Sequence, residues 1–335
     1  MRAAVLEQAG SPLLIRDVPR PEVGPGEVLL RVRACGVCHT DLHLAAGDWR
    51  LPKLPLIPGH EVTGIIEQVG AEVQELKAGD RAGIPWIYWS CGSCEYCLAN
   101  NEPLCSKLQV TGYTVDGGYA EYLKAPASHC IPLPEGIDFV SGAPLYCAAL
   151  TTYRALKISG ARVGQTVAIW GVGGLGHYAV QIARAMGLRV IAVDILESKL
   201  DFARELGVDF TVNAKEKDSV KTIKKAGGAD VVINLAPTSA AIEQGFQTLR
   251  RGGALVLVGL PKGNFTLPIF TTVAKGIRIL TAAVGTRQDL REVLSLAAEK
   301  KIHSVCETVP LDEVNSVFRR MEEGRITGRV VIEFP

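Results

Sequence analysis

Three residues far apart in the chain could together hold a catalytic metal: Cys38, His60 and Cys147. Two thiolates and one imidazole form a ligand set that suits zinc and leave the fourth tetrahedral position open for water or substrate. An open coordination position distinguishes a catalytic zinc site from a structural one. Cys38 taken alone is better explained as a small buried thiol. The prediction therefore depends on all three residues meeting in the fold.

A second cluster of cysteines has the spacing C-x2-C-x2-C-x7-C and consists of Cys91, Cys94, Cys97 and Cys105. Four thiolates this close in the chain can fill a tetrahedral zinc shell, which is typical of a structural metal. An iron–sulfur cluster is the main alternative, because soft thiolates also bind iron. A zinc ribbon for nucleic acid is disfavoured by the net charge of +1 and the lack of flanking basic patches. We predict a structural zinc ion in the lobe 90–106.

A glycine-rich loop follows a predicted strand, Thr166–Trp170, and opens a predicted helix, His177–Met186. The pattern G-x-G-x-x-G between a strand and a helix predicts a dinucleotide-binding loop. Its first glycine allows the tight turn, its second the approach of a pyrophosphate, and its third close packing of the helix on the strand. The loop residues predicted to bind the cofactor are Gly171, Gly173, Gly174, Leu175 and Gly176.

The next predicted strand, Arg189–Asp194, ends in a carboxylate. A carboxylate here accepts hydrogen bonds from the ribose of NAD and repels the 2′-phosphate of NADP. No arginine follows Asp194 directly, which favours NAD, and Lys199 is expected near the adenosine ribose. The alternative is a glycine-rich turn of an α/β domain that binds no cofactor.

The pattern of elements divides the chain into two domains. Residues 1–148 alternate short apolar runs with Gly and Pro turns, which is typical of a folded-over β-sheet. Residues 149–285 alternate strands and helices, which predicts a parallel sheet covered on both faces. Residues 286–335 complete the first domain. Besides the elements already given, we predict strands over 231–235, 254–258, 277–281 and 329–334, and helices over 141–156, 198–206, 240–249, 289–300 and 311–323.

Length and composition narrow the class of protein. The 335 residues suggest about two domains of roughly 150 residues each. No run approaches the ~18 apolar residues of a membrane span, and the N-terminus lacks the apolar segment of a signal peptide. The nine cysteines then favour metal ligands and free thiols over disulfides. We therefore expect a cytoplasmic protein with no membrane or nucleic-acid partner.

These motifs give the chain a recognisable family pattern. The stretches Ala34–His43 and Gly59–Glu61, the cysteine lobe, the glycine loop, Val258–Pro261 and Gly328–Arg329 resemble the zinc-containing medium-chain alcohol dehydrogenases, most closely the bacterial ethanol- or propanol-preferring type. The resemblance covers essentially the whole chain. It implies an α/β protein with a β-rich GroES-like catalytic domain and a doubly wound Rossmann domain. It also implies two zinc ions per chain, NAD and a homotetramer.

The resemblance further implies roles for single residues. Asp41 would hydrogen-bond to the ligand His60 and orient its ring. Glu61 would lie beside the metal; the alternative for Glu61 is a purely structural role. Thr40 would take the proton of the alcohol and pass it through the ribose hydroxyls to His43. The alternatives are that Thr40 only packs and that His43 is a solvated helix residue. The residues implied to contact the cofactor are His39, Thr151, Val258 and Arg329.

The predicted reaction is the reversible, NAD-dependent oxidation of small primary and some secondary alcohols. Trp49 and Trp86 could wall the alcohol pocket, and an aromatic wall favours small alcohols over charged or sugar substrates; either could instead pack in the core or at an interface. The alternatives are a polyol or aryl-alcohol dehydrogenase on the same scaffold and a catalytically silent nucleotide-binding relative. The silent relative requires loss of a ligand or relay residue, and none of these residues is missing from the sequence.

Overall fold

The computed structural model describes residues 1–335, which form two compact units. Unit 1 comprises Met1–Leu150, Gly285–Glu299 and Ser304–Pro335, and unit 2 comprises Thr151–Val284 and Lys300–His303. These bounds lie near the predicted ones, except that 300–303 belongs to unit 2. The reason is local, because the Gln181 side chain exchanges two hydrogen bonds with the backbone of His303. None of the helices has the length and apolar character that crossing a bilayer requires.

The first part of the chain, up to the junction of the units, is made mainly of short strands. Its strands are β1 (Arg2–Val5), β2 (Leu14–Asp17), β3 (Glu27–Val37), β4 (Glu61–Val69), β5 (Arg81–Ile84), β6 (Ile87–Trp89), β7 (Gln109–Val110), β8 (Tyr122–Pro126) and β9 (Ile131–Pro132). Its helices are α1 (His39–Ala46), α2 (Glu95–Leu98), α3 (Phe139–Gly142) and α4 (Ala148–Ser159), with 3-10 turns at Glu102–Leu104, Ala127–His129 and Ala143–Tyr146.

Unit 2 alternates strands and helices. Its strands are β10 (Thr166–Trp170), β11 (Arg189–Asp194), β12 (Phe210–Asn213), β13 (Ala229–Asn234), β14 (Leu249–Leu257) and β15 (Arg278–Thr281), and its helices are α5 (Gly176–Ala185), α6 (Glu197–Glu205), α7 (Ser219–Lys225), α8 (Ser239–Thr248) and α9 (Ile269–Lys275). The strands form one parallel sheet in the order β12-β11-β10-β13-β14-β15. This is the order of a doubly wound dinucleotide-binding fold, so the predicted Rossmann sheet is confirmed.

The C-terminal segments return to unit 1. They contribute α10 (Arg287–Ala298), β16 (Cys306–Val309), a 3-10 turn at Leu311–Glu313, α11 (Val314–Glu322) and β17 (Arg329–Glu333). Strand β17 joins the larger sheet of unit 1, whose order is β16-β17-β3-β4-β5-β9 with β8 also paired to β3. The apolar core on this sheet includes Val28, Leu30, Ile66, Ile84 and Ile332, all fully buried. The β-rich domain expected from the resemblance is therefore present.

The predicted single helix over 141–156 is wrong. Helix α3 ends at Gly142, a 3-10 turn follows, and α4 begins only at Ala148. Pro144 cannot donate a helical hydrogen bond, and Cys147 leaves the helical region with φ −136° and ψ −64°. Strand β12 and helices α7 and α9 lie outside the predicted elements. Strand β12 is a short edge strand and α9 buries no side chain, so neither carries a clear hydrophobic period.

The cysteine lobe is held to the rest of unit 1 by an ion pair. Arg287 Nη2 lies 2.6 Å from Glu102 Oε1, and the Arg287 backbone N–H donates to Oε2 of the same carboxylate at 3.0 Å. Beside this pair, the Ser90 backbone N–H donates to Nε2 of His129 at 3.1 Å. The ring proton must then lie on Nδ1, which is 2.9 Å from Ser128 Oγ. His129 is therefore neutral in the folded protein.

We expect this histidine to make stability depend on pH. Burial, and after it the Arg287 cation, lowers the pKa of His129 to about 4, while Glu102 opposes the shift. An unfolded histidine has a pKa of about 6.5, so the unfolded chain gains its proton first as the pH falls. Stability is thus complete above about pH 6.5 and declines toward about pH 4, by up to about 1.4 kcal/mol per pH unit.

His129→Gln keeps an acceptor for Ser90 but cannot be protonated, so the variant should lose less stability on acidification than the wild type. The measurement is the fall in Tm between neutral and mildly acidic buffer. His303→Gln is the matched control, because His303 is exposed, and it should behave as the wild type does. Equal falls in Tm for the wild type and His129→Gln would contradict the assignment.

Candidate active site

Cys38, His60 and Cys147 meet in unit 1, although each belongs to a different segment. Cys38 precedes α1, His60 precedes β4, and Cys147 separates the 3-10 turn from α4. One ligand atom of each residue, together with a carboxylate oxygen of Glu61, lies within 4.8 Å of the others. All four side chains are buried. The segments that carry them thus bring two sulfurs, one imidazole and one carboxylate to one place.

The carboxylate of Asp41 fixes two of these segments. Its Oδ1 accepts hydrogen bonds from the Gly59 backbone N–H at 3.1 Å and from His60 Nδ1 at 3.2 Å. Its Oδ2 accepts from the Cys38 backbone N–H at 3.0 Å and from the Tyr119 hydroxyl at 2.8 Å. The contact between Asp41 and His60 expected from the sequence is therefore present. Because Nδ1 of His60 is engaged, Nε2 is the nitrogen left for a metal.

The donor set fits a zinc ion. His60 Nε2 is buried without a hydrogen-bond partner, which is unusual for a polar atom unless an ion or ligand completes its environment. The Cys147 thiol, and after it the His60 imidazole, holds the pKa of Cys38 well below its usual range even though burial opposes this. The same contact raises the pKa of Cys147, so it favours one thiolate within this pair of thiols. A thiolate is the form of cysteine that binds metals.

Glu61 and Arg329 form a buried ion pair beside these ligands. Arg329 Nη2 contacts Glu61 Oε1, and neither side chain is more than 3% exposed. Burial raises the pKa of Glu61 to about 7, although the Arg329 cation opposes the shift. The family resemblance implied that Arg329 contacts the cofactor. Its described contact is instead with Glu61, so the cofactor contact stays a prediction.

The four cysteines of the lobe converge as predicted, with their sulfurs all within 4.8 Å of one another. The sulfurs of Cys91 and Cys97 are 3.9 Å apart, and those of Cys94 and Cys97 are 3.5 Å apart. A tetrahedral zinc ion with Zn–S bonds of about 2.3 Å holds its sulfurs about 3.8 Å apart. The spacing therefore fits a single ion. A cluster of several irons would hold the sulfurs farther apart, because its cysteines bind different iron atoms.

The glycine loop joins β10 to α5 in unit 2. Gly171 has a φ of +97°, which glycine adopts far more readily than other residues. A Cβ at Gly176 would lie 2.2 Å from the carbonyl oxygen of Gly171, so a side chain here would push the helix off the strand. A Cβ at Gly173 would meet no atom within 4 Å, which leaves that face of the loop open. The open face and the N-terminus of α5 form a site suited to a phosphate.

Asp194 lies at the end of β11 and contacts the glycine loop directly. Its Oδ2 accepts a hydrogen bond from the Val172 backbone N–H at 2.8 Å. Its Oδ1 accepts from the backbone N–H groups of Ile195 at 2.7 Å and Leu196 at 3.1 Å. Lys199 on α6 is buried near this carboxylate; burial lowers its pKa and Asp194 opposes the shift. Asp194 thus holds the loop in addition to the ribose contact predicted for it.

The predicted proton relay lies on α1. Thr40 and His43 occupy the same face of this helix, one turn apart. Nδ1 of His43 lies 2.8 Å from Oδ2 of Asp48, a residue that belongs to no motif of the sequence. The His43 ring also stacks on Trp49, with centroids 5.4 Å apart. Trp49 therefore contacts the relay residue, and its place in a substrate pocket stays a prediction.

The other predicted site residues are spread over both units. In unit 1, His39 opens α1 and is exposed, and Trp86 is half-buried between β5 and β6. In unit 2, Thr151 is buried on α4, and Val258 follows β14. Their expected contacts are with cofactor or substrate, so their roles stay predictions. Tyr119 and Asp48 are the polar residues that sequence reasoning misses, since neither belongs to a ligand motif.

Comparison with known proteins identifies the same two parts. Residues 24–135 match the alcohol dehydrogenase GroES-like domain, and residues 174–299 match the zinc-binding dehydrogenase family. The chain is 52% identical to an alcohol dehydrogenase of Geobacillus stearothermophilus over 335 residues, which cover 99% of each chain. The crystal structure of the alcohol dehydrogenase from Aeropyrum pernix has a TM-score of 0.94 at 36% identity and full coverage of both chains. An NAD-dependent alcohol dehydrogenase has a TM-score of 0.94 at 32% identity, again with full coverage.

These similarities extend over both units and agree with what the side chains form there. One cluster of buried sulfur and nitrogen donors and one cluster of four sulfurs lie in unit 1. A dinucleotide-type glycine loop lies at the end of the first strand of the parallel sheet in unit 2. The chain belongs to the zinc-containing medium-chain alcohol dehydrogenases.

Proposed function

We propose that the protein oxidises small primary alcohols, and some secondary alcohols, reversibly to aldehydes and ketones with NAD as hydride acceptor. The observation that carries the proposal is the buried cluster of Cys38, His60 and Cys147, in which His60 Nε2 has no protein partner. A Cys2His set is the one by which alcohol dehydrogenases are known to hold catalytic zinc. We assign catalytic zinc to this cluster and structural zinc to the four cysteines of the lobe.

The groups of the chain supply orientation for this reaction. When bound, zinc acts as a Lewis acid that lowers the pKa of an alcohol, and NAD accepts the hydride. Asp41 fixes the ring of His60 and, through the Cys38 amide, the start of α1. The Glu61–Arg329 pair lies beside the ligands and adds no net charge when both groups are ionised. The catalytic centre is thereby held by contacts that exist before any substrate arrives.

Proton release is proposed to run along α1. Thr40 would accept the proton of the alcohol and His43 would pass it to solvent; bound NAD would supply the ribose hydroxyls that connect the two. Asp48 supports this role because it accepts from Nδ1 of His43, which leaves Nε2 able to take up a proton. The His43 side chain is 23% exposed, so it can deliver the proton to solvent.

We expect His43→Gln to slow alcohol oxidation most at low pH, because hydroxide is then too scarce to replace the lost base. Bulk buffer bases should restore part of the rate, since they can reach a proton that has no internal acceptor. The measurement is kcat against pH in a series of buffer concentrations. His303→Gln serves as control and should match the wild type. A His43→Gln profile that parallels the wild type would argue against the relay.

We infer that Asp194 selects NAD over NADP and that Lys199 lies near the adenosine ribose. The support is the position of the carboxylate at the end of β11, beside the glycine loop, with Ile195 and Leu196 rather than a cation after it. A negative charge here repels a 2′-phosphate and accepts hydrogen bonds from ribose hydroxyls. The remaining cofactor contacts proposed from the family resemblance are those of His39, Thr151, Val258 and Arg329.

The substrate class is tested by a panel of alcohols. We expect kcat/KM with NAD to be higher for ethanol and 1-propanol than for sorbitol or cinnamyl alcohol, because the proposed aromatic wall, Trp86 with Trp49, leaves room for a short chain. The same panel with NADP should give much lower values. A clear preference for sorbitol or cinnamyl alcohol would support the polyol or aryl-alcohol alternative. No turnover of any alcohol by zinc-loaded protein would indicate a silent relative and refute the proposal.

We infer that the protein assembles as a homotetramer through surfaces that include one edge of unit 2. Strand β15 is the last strand of its sheet, and open strand edges pair readily with another chain. The neighbouring helix α9 exposes Ile269, Phe270 and Val273 by 75%, 85% and 76%. Three large apolar side chains this exposed on one helix indicate a surface that another chain covers.

A cytoplasmic location is part of the same proposal. All nine cysteines are free, and none is paired in a disulfide. Free thiols and thiolate metal sites both suit a reducing compartment. The thiolate ligands proposed for the two zinc ions would be exposed to oxidation outside such a compartment.

A further inference from the structure

The Asp41 carboxylate is fully buried, so its charge is stabilised only by the groups that donate to it. Three of its four hydrogen bonds come from the segments that carry the proposed ligands: the amides of Cys38 and Gly59 and the ring of His60. The fourth comes from the Tyr119 hydroxyl, and at 2.8 Å it is the shortest. This bond joins residues far apart in the chain and is absent from any ligand motif.

Tyr119 is fixed in place by the segment that carries His60. Its backbone N–H donates to the Pro58 carbonyl at 3.0 Å, and its carbonyl accepts from Ala4 at 2.8 Å. Its ring lies against Gly59, where an added Cβ would approach the Tyr119 ring carbon Cδ1 to 2.5 Å. The glycine therefore makes room for the ring. The backbone bonds and the ring contact thus place the phenol beside Asp41.

We propose that Tyr119 is a positioning residue of the catalytic zinc centre, acting through Asp41 on both Cys38 and His60. The inference rests on the zinc assignment made under the proposed function. Without the hydroxyl, Oδ2 of Asp41 keeps only the Cys38 amide as donor. Tyr119 and Asp41 are both fully buried, so bulk water does not supply the missing bond. The carboxylate then holds the two ligand segments less firmly, and the zinc ion binds less tightly.

Packing alone would give a different result. A purely structural Tyr119 would act through its ring, which Tyr119→Phe retains. A positioning residue acts through its oxygen, and the effect must pass through the Asp41 carboxylate. Partners that support metal ligands typically change metal affinity by about 10- to 100-fold when removed. Because Tyr119 is one bond farther from the metal than Asp41, we expect the lower end of this range.

The test uses the full-length protein, whose four-cysteine site serves as internal reference. Zinc affinity at each site is measured by competition with a chelator. Tyr119→Phe should bind zinc about tenfold more weakly at the catalytic site and as the wild type does at the lobe. The control is Tyr146→Phe, since this buried hydroxyl donates only to the Ile131 carbonyl at 2.8 Å. It should change neither affinity. Weakening at both sites in Tyr119→Phe would show a general loss of structure instead of an effect on the catalytic site, and would overturn the proposal.

A double-mutant cycle with Asp41→Asn tests the route. If Tyr119 acts through the carboxylate, its removal should have little further effect in the Asp41→Asn background. Additive losses would overturn the proposal. The cobalt-substituted protein gives a second readout, because its d–d absorption reports ligand geometry; we expect Tyr119→Phe to shift it. Wild-type affinity and spectrum in Tyr119→Phe would refute the role of Tyr119. A wild-type protein that binds metal only at the lobe would instead refute the zinc assignment, and the inference with it.

Discussion

A buried carboxylate is the constraint on which the proposed zinc centre depends. Asp41 is removed from water, and its charge is tolerable because four donors surround it. Those donors lie before α1, in the turn ahead of β4 and in the segment that precedes β8. Satisfying one anion therefore fixes the relative position of Cys38 and His60. The hydrogen bonds that compensate the burial of Asp41 therefore position the proposed zinc ligands, in addition to any bonds that the ligands make to the metal.

In unit 2, too, a carboxylate that accepts several hydrogen bonds holds the backbone of the candidate site. Asp194 accepts hydrogen bonds from three backbone N–H groups, including that of Val172 within the glycine loop. The carboxylate proposed to bind the ribose thus also holds the loop proposed to bind the pyrophosphate. Changing the charge of either Asp41 or Asp194 is expected to disturb backbone geometry as well as ligand chemistry. In both units, a side chain read from the sequence as a contact to a cofactor or ligand also shapes the backbone.

Most of the features that could be predicted from the sequence are marked by local patterns of residues. The spacing of the four lobe cysteines and the strand–loop–helix context of Gly171 each reside in one short stretch, so both could be recognised directly. Strands β10 and β11 have the predicted bounds because their buried runs end at clear polar or glycine residues. Cys38, His60 and Cys147 needed the family resemblance as support, since nothing local requires them to meet.

What the sequence could not supply was pairing over long separations and local breaks in periodicity. Tyr119 lies far along the chain from Asp41, and Arg329 still farther from Glu61, so no motif links either pair. The interruption at Cys147 escaped the prediction because the apolar pattern runs on through Pro144. Asp48 reaches His43 only because the chain turns back after α1 at Gly47, which has a φ of +75°. These contacts follow from tertiary geometry and not from composition.

Anomalous diffraction from a crystal of the zinc-loaded protein at the zinc absorption edge tests the central claim most directly. The account predicts two zinc peaks per chain. One should be bonded to the sulfurs of Cys38 and Cys147 and to Nε2 of His60, with the Asp41 carboxylate on the far side of that ring. The other should lie among the four sulfurs of the lobe. A single peak at the lobe, or a second peak that does not contact His60 Nε2, would contradict the account.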